Sequence, residues 1–275
     1  MPTDIDALVL SNNRLSESYN VIKLSAPDIA RTTKPGQFVM VRKNHDSTAL
    51  LRRPFSVFET LFDNQEEPVG FSILNKRVGV VTNSLFDLVA GDRLQCLGPL
   101  GQPFTIPPRL SSAWMIAGGV GLAPFASLAQ SLKKYSVPTH LIYGGRSSDD
   151  LYYVDWFERM GVRVVLTTED GSRGNKGLVT VSLQRELKTQ GENELKIYAC
   201  GPTLMMREVA TIGIEHGYAT EVSLEPVMGC GLGGCYSCVV SIKGDSGHES
   251  SDHFVRSCLH GPVFPGNKVN WDLLT

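Results

Sequence analysis

Four of the six cysteines lie near the carboxyl end of the 275-residue chain. They are Cys230, Cys235, Cys238 and Cys258, spaced C-x4-C-x2-C-x19-C. Three cysteines at this spacing followed by a distant fourth are the ligand pattern of plant-type [2Fe-2S] clusters. Glycines surround the first two cysteines, where a loop that wraps closely around a cluster must aim backbone N–H groups at the sulfurs. The pattern therefore predicts an iron-sulfur cluster with these four thiolates as ligands.

A structural zinc ion is the alternative for the same quartet, because four-cysteine zinc sites also stabilise small domains. Zinc sites usually pair two short knuckles, whereas here three ligands share one glycine-rich loop and the fourth stands alone. The spacing favours the iron-sulfur cluster. The other two cysteines, Cys96 and Cys200, are separate from the quartet, and Cys96 is expected to be a small buried apolar residue.

Three glycine turns in the middle of the chain follow predicted strands. The first, Gly118–Gly121, precedes Pro124, which suits a first helical turn. Such a turn lets a phosphate meet a helix N-terminus, although the spacing is not the G-x-G-x-x-G fingerprint and a plain tight turn is the alternative. The turns at Gly144–Arg146 and Gly201–Pro202 end strands of the same predicted sheet. Since such loops project from one sheet edge, the three together predict a nucleotide site.

The segment Leu51–Val57 reads L-R-R-P-F-S-V. It places a fixed cation, a φ-restricted proline and a hydroxyl close together, which suits binding of a phosphate and the edge of an aromatic ring. An exposed basic edge strand ended by proline is the alternative.

The elements that must position these residues fall into three parts. Residues 1–103 show short alternating or β-branched runs punctuated by Pro and Gly, which predicts an antiparallel β barrel or sandwich. Residues 104–222 alternate apolar strands with helical stretches at Pro124–Lys134 and Thr203–His216, which predicts βαβ units around a parallel sheet. Residues 223–275 are rich in Gly and Cys and too few for a large core, so a metal would stabilise them.

Bulk properties exclude several classes of partner. The net charge of −2 and the pI near 6.3 give no electrostatic reason to expect nucleic acid or an anionic membrane. No secretion signal is recognisable at the start, and no stretch approaches the roughly 18 apolar residues that cross a bilayer. A cytoplasmic location is expected, where cysteines serve metal or redox chemistry rather than disulfides.

Taken together, R-P-F-S in a β barrel, G-G-x-G-x-A-P opening an α/β domain and a late C-G-P resemble the ferredoxin reductase superfamily. The tail L-E-P-V-M-G-C-G-x-G-x-C-x-x-C and the closing C-x-x-G-P-V-F narrow the match. Over nearly its whole length the chain resembles the electron-transfer subunits of class 1B dihydroorotate dehydrogenase. This resemblance implies an FAD-binding β barrel, an NAD-binding α/β domain and a small C-terminal [2Fe-2S] domain.

The resemblance also implies a set of flavin-binding residues. Arg53 would hold the FAD pyrophosphate, Ser56 would lie near the isoalloxazine edge, and Pro54 and Phe55 would shape the site. The family segment K-x-x-G-x-G-T reads Lys76–Thr82 here, so Gly79 and Thr82 are retained. Val81 replaces the second glycine, which questions the close approach of the backbone at that position.

For the nucleotide, the resemblance implies that Gly118, Gly119 and Gly121 serve the NAD phosphates. It places Cys200, with Gly201 and Pro202, beside the nicotinamide, with simple packing as the alternative for Cys200. The family binds NAD, although Arg146 followed by Ser147 could instead favour a 2′-phosphate. The polar segment Glu169–Ser172 either contacts a ribose or forms a turn.

The implied function is electron transfer between a partner and NAD+. A nicotinamide exchanges two electrons as a hydride while a [2Fe-2S] cluster carries one at a time, so a flavin is the necessary middle link. In the resembled family the partner is a flavin-containing catalytic subunit that oxidises dihydroorotate in pyrimidine synthesis, within a heterotetramer. The docking face is expected at Gly231–Tyr236 with Gly261–Phe264 nearby, and the polar spacer Lys243–His253 is expected to form a surface loop.

Two alternatives use the same residues differently. One is a related subunit of sulfide dehydrogenase or of a bifurcating ferredoxin:NADP oxidoreductase, in which one cluster ligand can be aspartate; all four positions are cysteine here. The other is a zinc-stapled module that senses nucleotide and transfers no electrons. The colour of the purified protein distinguishes the electron-transfer subunits from the zinc-stapled module, because flavin and [2Fe-2S] absorb visible light and zinc does not.

Overall fold

A computed structural model describes residues 1–43, 50–189, 194–244 and 252–274. Within these ranges the strands form two seven-stranded sheets and one two-stranded sheet. None of the helices in the described ranges has the length and apolar character needed to span a bilayer.

The amino-terminal sheet is antiparallel, with the order β4-β3-β7-β1-β2-β6-β5. Side chains along β7 alternate between buried and accessible, so that Leu94 and Cys96 point into an apolar core, and the prediction for Cys96 is confirmed. Short helices α1 (Pro27–Ala30) and α2 (Val80–Phe86) pack beside the sheet. The strands are β1 (Thr3–Arg14), β2 (Tyr19–Ser25), β3 (Phe38–Lys43), β4 (Arg53–Ser56), β5 (Thr60–Phe62), β6 (Pro68–Lys76) and β7 (Arg93–Leu100).

The second sheet has the order β11-β10-β9-β8-β12-β13-β16 and is parallel except for β16. Its central strand is buried on both faces, which explains the unbroken apolar run from Ala113 to Ala117. Helices α3 (Phe125–Lys134), α4 (Val154–Arg159), α5 (Val179–Leu187) and α6 (Thr203–Glu215) connect the strands, and both predicted helical stretches are confirmed. The strands are β8 (Ser112–Gly118), β9 (Thr139–Gly145), β10 (Arg163–Thr168), β11 (Asn175–Lys176), β12 (Leu195–Cys200), β13 (Ala219–Ser223) and β16 (Val263–Pro265).

The carboxyl-terminal segment contains the hairpin of β14 (Val239–Ile242) and β15 (His253–Arg256), followed by α7 (Ser257–His260). The chain then returns to the nucleotide sheet, where Phe264 of β16 lies opposite Val222 of β13. The segment Gly261–Phe264, expected near the docking face, is buried there. Of the polar spacer expected at Lys243–His253, residues 245–251 lie outside the described residues.

A buried polar network fixes the connection between the two large sheets. Lys196 Nζ lies 3.0 Å from Glu221 Oε1, and the backbone N–H of Thr105 donates to Glu221 Oε2 at 2.9 Å. The Tyr198 hydroxyl donates to the Thr105 carbonyl at 2.8 Å. Burial lowers the pKa of Lys196 although the charge of Glu221 opposes this effect. The segment that leaves the antiparallel sheet is thereby held against the parallel one.

Candidate functional site

A cavity of about 910 Å³ opens at the carboxyl edge of the parallel sheet. The ends of β8, β9, β10 and β12 all contribute to it, so the three glycine turns converge as the sequence predicts. Lys76, from the antiparallel sheet, completes the wall. The cavity is therefore a cleft between the two large sheets, and its size suits a dinucleotide.

The glycines of the first turn, Gly118–Gly121, have different structural roles. Gly118 and Gly119 line the cavity, and Gly119 has a positive φ of 55° that favours glycine. Gly121 is buried, and a Cβ there would lie 2.3 Å from the carbonyl oxygen of Cys200. Its lack of a side chain permits close packing of the turn on β12. Gly201, with φ of 151°, approaches the same turn, because a Cβ on it would lie 3.0 Å from the Gly118 nitrogen.

Cys200 is fully buried at the end of β12, beside Pro202 at the cavity wall. Its thiol donates a hydrogen bond to Glu225 Oε1 at 3.8 Å. Burial, reinforced by the charge of Glu225, raises the pKa of this thiol well above its ordinary value. A neutral buried thiol is a hydrogen-bond donor and a packing residue rather than a nucleophile.

Glu225 is a cavity residue that the motifs did not single out. Its side chain lines the cavity and is exposed there, and partial desolvation by the neighbouring protein raises the pKa of the carboxyl although the Cys200 hydrogen bond opposes the shift. A carboxyl group with a raised pKa at the wall of a cleft is typical of functional sites. Glu225 belongs to the L-E-P segment of the sequence, but nothing in that segment indicates that Glu225 lies next to Cys200.

A second group of residues joins the two domains across the cavity. Lys76 Nζ lies 3.3 Å from Asp150 Oδ1 and 4.8 Å from the centre of the Tyr19 ring. The Tyr19 hydroxyl donates to the same Asp150 oxygen at 2.9 Å. Burial opposes ionisation of Asp150, but the Tyr19 hydrogen bond and the Lys76 charge outweigh it, so the pKa of Asp150 is lowered. The carboxylate is therefore charged at neutral pH.

Asp150 also orders the nucleotide side of the cleft. Its Oδ2 accepts from the backbone N–H of Arg146 at 3.2 Å, which closes the loop after β9. The Tyr143 hydroxyl donates to the Asp150 carbonyl at 2.7 Å and lies 3.2 Å from the Gly119 carbonyl. Asp150 thus links Lys76 of the barrel to the glycine turn.

The R-P-F-S segment forms β4, an edge strand in which Pro54 lies opposite Met40 and Ser56 opposite Phe38 of β3. Its proline suits an edge strand because it removes a ladder donor. Phe55 packs partly against the barrel core, and Ser56 is half-buried.

The two arginines of this segment are held differently. Arg52 forms an ion pair with Asp4 at 2.8 Å, whereas the Arg53 guanidinium donates to the carbonyls of Leu51 and Arg52 at 3.1 and 3.3 Å. No ion pair among the described residues includes Arg53, which is exposed. Its charge is therefore available to an anion, which fits the FAD pyrophosphate.

The start of α2 is open where the resemblance expects the flavin phosphates. A Cβ on Gly79 would meet nothing within 4 Å. The Thr82 hydroxyl accepts from the backbone N–H groups of Val78 and Gly79 at 2.8 and 2.9 Å, so it shapes the turn. Val81 points into the barrel core, and the replacement of the family glycine therefore leaves the outer surface of the turn unobstructed.

The four cysteines of the tail are arranged in two pairs. Cys235 interacts with Cys230, and Cys258 interacts with Cys238 and donates its backbone N–H to the Cys238 sulfur at 3.5 Å. In the described residues no single point is surrounded by three or more potential metal ligands. The loop and helix α7 after the hairpin together supply four thiols, the number of protein ligands that a [2Fe-2S] cluster requires.

The two pairs differ in environment. The Ser237 side chain hydrogen-bonds to the Cys235 sulfur at 3.2 Å and, with Cys230, lowers the pKa of the Cys235 thiol to about 6. Burial and the neighbouring Cys238 raise the pKa of Cys258 to about 12. A cluster ligand must be a thiolate, so binding of a cluster would displace the proton of the buried Cys258 thiol.

Solved structures share this architecture. The NADH-dependent reduced ferredoxin-NADP oxidoreductase, studied for flavin-based electron bifurcation, is 29% identical with a TM-score of 0.82, and the match covers 97% of this chain and 90% of that one. A ferredoxin NADP+ reductase from Neisseria gonorrhoeae with bound FAD and NADP is 18% identical with a TM-score of 0.66, over 78% of this chain and 92% of that one. The second match shows the fold alone.

Two family models match separate parts of the chain. The oxidoreductase NAD-binding domain matches residues 115–211, which include the glycine turns. The iron-sulfur cluster binding domain of dihydroorotate dehydrogenase B matches residues 225–270, which include all four cysteines. Fold and site together define an NAD-linked oxidoreductase subunit that carries FAD and a [2Fe-2S] cluster.

Curated relatives cover nearly the whole chain. The electron transfer subunit of dihydroorotate dehydrogenase B (NAD(+)) from Desulforamulus reducens is 37% identical over 97% of this chain and 98% of the relative. The subunit of that name from Fusobacterium nucleatum is 33% identical, over 96% and 97%. The chain belongs to the family of dihydroorotate dehydrogenase B (NAD(+)) electron transfer subunits. The predicted fold and the three predicted cofactors, FAD, [2Fe-2S] and NAD, are confirmed.

Proposed function

We propose that the chain takes electrons from a dihydroorotate-oxidising catalytic subunit and passes them through the [2Fe-2S] cluster and FAD to NAD+. The proposal includes a cytoplasmic heterotetramer of two such chains and two catalytic subunits. The flavin supplies the conversion between single electrons and a hydride. The observation that carries the proposal is the position of the cysteine loop, which packs on the barrel beside the flavin segment.

The contact between the cluster segment and the barrel is apolar. Cys238 and Cys258 are buried in one cluster of side chains with Phe38, Met40 and Leu100. Met40 lies opposite Pro54 of the R-P-F-S segment. The cluster ligands are therefore one strand away from the proposed flavin site, an order that suits transfer from cluster to flavin to nucleotide.

The outer side of the cysteine loop supports a docking role. Leu232 and Tyr236 are 57% and 64% exposed within a loop that carries three cluster ligands. Exposed apolar side chains beside a redox group fit a partner that must approach closely. We assign the docking face to Gly231–Tyr236 alone, because Gly261–Phe264 is buried.

We assign the following roles to the residues of the two sites. For FAD, Arg53 holds the pyrophosphate, Ser56 lies at the ring edge, Pro54 and Phe55 shape the strand, and the turn at Gly79 and Thr82 receives phosphate. For NAD, Gly118 and Gly119 face the phosphates, Pro202 borders the nicotinamide, and Gly121 and Gly201 allow the two turns to approach each other. Cys200 orients the Glu225 side chain, to which its thiol donates a hydrogen bond.

Charges in the cavity support NAD rather than NADP. Four carboxylates, Asp150, Glu169, Glu208 and Glu225, line it together with only two cations, Lys76 and Arg146. An added 2′-phosphate would bring further negative charge into this surrounding, which is unfavourable. Glu169 borders the cavity, which favours the ribose-contact role over a plain turn.

Copurification with the catalytic subunit tests the assignment. We expect a complex with equal numbers of the two chains that reduces NAD+ when dihydroorotate is added, while neither chain does so alone. The structural relative in electron bifurcation supports the second candidate, a subunit of a ferredoxin:NADP oxidoreductase. Failure to bind the catalytic subunit, with reduction of NADP+ by reduced ferredoxin in its place, would establish that second function instead.

A further inference from the structure

Arg256 occupies a central position among the four cluster ligands. It is the last residue of β15, two residues before Cys258, and it lies opposite Val239, which follows Cys238. Its backbone is therefore adjacent to the two buried ligands.

The side chain of Arg256 reaches the loop that carries the other two ligands. Its Nη1 donates to the carbonyl of Gly233 at 2.8 Å, and Gly233 lies between Cys230 and Cys235 in the loop. The guanidinium carbon is 5.0 Å from the centre of the Tyr236 ring, directly after Cys235. One side chain thus connects the glycine-rich loop to the strand that leads to Cys258.

The contacts constrain a loop that is otherwise strained. Gly233 and Tyr236 both have positive φ, at 78° and 59°, and such a conformation is unfavourable for tyrosine. A planar guanidinium that donates to a carbonyl and stacks on a ring fixes both ends of this segment. The two contacts of Arg256 therefore hold the loop in shape.

In the part of the chain that the structure describes, no carboxylate is paired with the charge of Arg256. Reduction adds one negative charge to an already anionic cluster, and nearby positive charge stabilises that form. Net charge and hydrogen bonds around a cluster set its reduction potential.

We propose that Arg256 is a positioning residue of the cluster site that preorganises the loop of Cys230 and Cys235 and raises the reduction potential of the cluster. This inference rests on the cluster being bound by the four cysteines, as in the proposed function. It predicts an effect on potential that a purely structural arginine would not have.

The test compares Arg256→Gln, which removes the charge, with Arg256→Lys, which keeps it, and with Tyr236→Phe, which keeps the ring. Iron content and the midpoint potential of the cluster are measured on the complete chain, the latter by an anaerobic redox titration monitored by EPR. We expect Arg256→Gln to have a more negative potential and less bound iron. Arg256→Lys and Tyr236→Phe are expected to keep the potential of the unmodified chain.

Two results would overturn the inference. One is an Arg256→Gln protein with full iron content and an unchanged potential. The other is an equal change in Arg256→Gln and Arg256→Lys, either in potential or as complete loss of iron, because the charge would then not matter. If the unmodified chain itself binds no cluster, the proposed function fails, and this result is distinguishable from failure of the Arg256 assignment.

Discussion

Replacing Lys76 by methionine should weaken NADH binding without removing FAD. Lys76 belongs to the barrel by sequence, but its ammonium group lies in the nucleotide cavity with Gly118 and Gly119. The side chain is 28% exposed, so a bound phosphate could reach it while much of its length stays packed. Methionine keeps the packing of the aliphatic stem and removes only the charge.

The magnitude follows from the interaction that is lost. A hydrogen bond to a charged group contributes about 1.5–3 kcal/mol. At about 1.4 kcal/mol per factor of ten, this predicts a Kd for NADH that is roughly 10- to 100-fold higher. The cavity contains four carboxylates, so loss of one of its two cations should place the change toward the upper end.

Asp150→Asn is the matched control. Asparagine keeps an oxygen that can accept from Tyr19, loses the acceptor of the Arg146 N–H and removes the charge that competes for Lys76. If Lys76 serves the nucleotide, Asp150→Asn should lose less NADH affinity than Lys76→Met. Both variants break the same ion pair, so a merely structural pair would make them equally weak.

The assay is a fluorescence or calorimetric titration of the FAD-loaded chain with NADH, alongside thermal unfolding and flavin content. Equal losses of affinity in Lys76→Met and Asp150→Asn would refute the reasoning, as would an unchanged Kd in Lys76→Met. Repeating the titration at higher salt should reduce the difference between Lys76→Met and the unmodified chain, because the interaction is ionic.

Three further predictions concern stability and docking. Burial raises the pKa of Glu59 above its ordinary value of 4.5 although the Ser72 hydrogen bond opposes this, so the folded chain loses stability as the pH rises through the window above 4.5. Glu59→Gln should therefore raise Tm at about pH 8 but not at about pH 4. If the variant and the unmodified chain differed in Tm by the same amount at both pH values, this prediction would be contradicted. Lys196→Met should cost about 3–5 kcal/mol in urea unfolding because it leaves Glu221 buried without its partner, and adding Glu221→Leu should recover much of the loss. Leu232→Asp should weaken binding of the catalytic subunit with unchanged iron and flavin content, because Leu232 is exposed on the docking loop, and an unchanged Kd would exclude this surface.

Local patterns were sufficient for much of the fold and for the cofactors. The continuous apolar run of β8 predicted a buried parallel strand, and the spacing of the cysteines predicted the two-iron cluster. The three glycine turns were individually weak, and their common topology made them informative. These features depend on residues that are close in sequence, or on the rule that parallel strands end at one edge.

The residues that sequence reasoning missed are brought together by long-range packing. Lys76 and Asp150 are separated by 74 positions, and Cys200 and Glu225 by 25, so no local pattern joins them. The return of the tail as β16 depends on only three residues, too few for a strand pattern. The packing role of Gly121 could not be predicted either, because a glycine in the sequence is equally compatible with contact to a phosphate and with close packing on a neighbouring backbone.

The most direct test of electron transfer by this chain is an anaerobic titration of the purified protein with NADH, followed by visible spectroscopy and low-temperature EPR. We predict bleaching of the flavin bands together with a rhombic signal of the reduced [2Fe-2S] cluster, since nucleotide, flavin and cluster form one path. A colourless protein that neither FAD nor iron and sulfide can reconstitute would contradict the account.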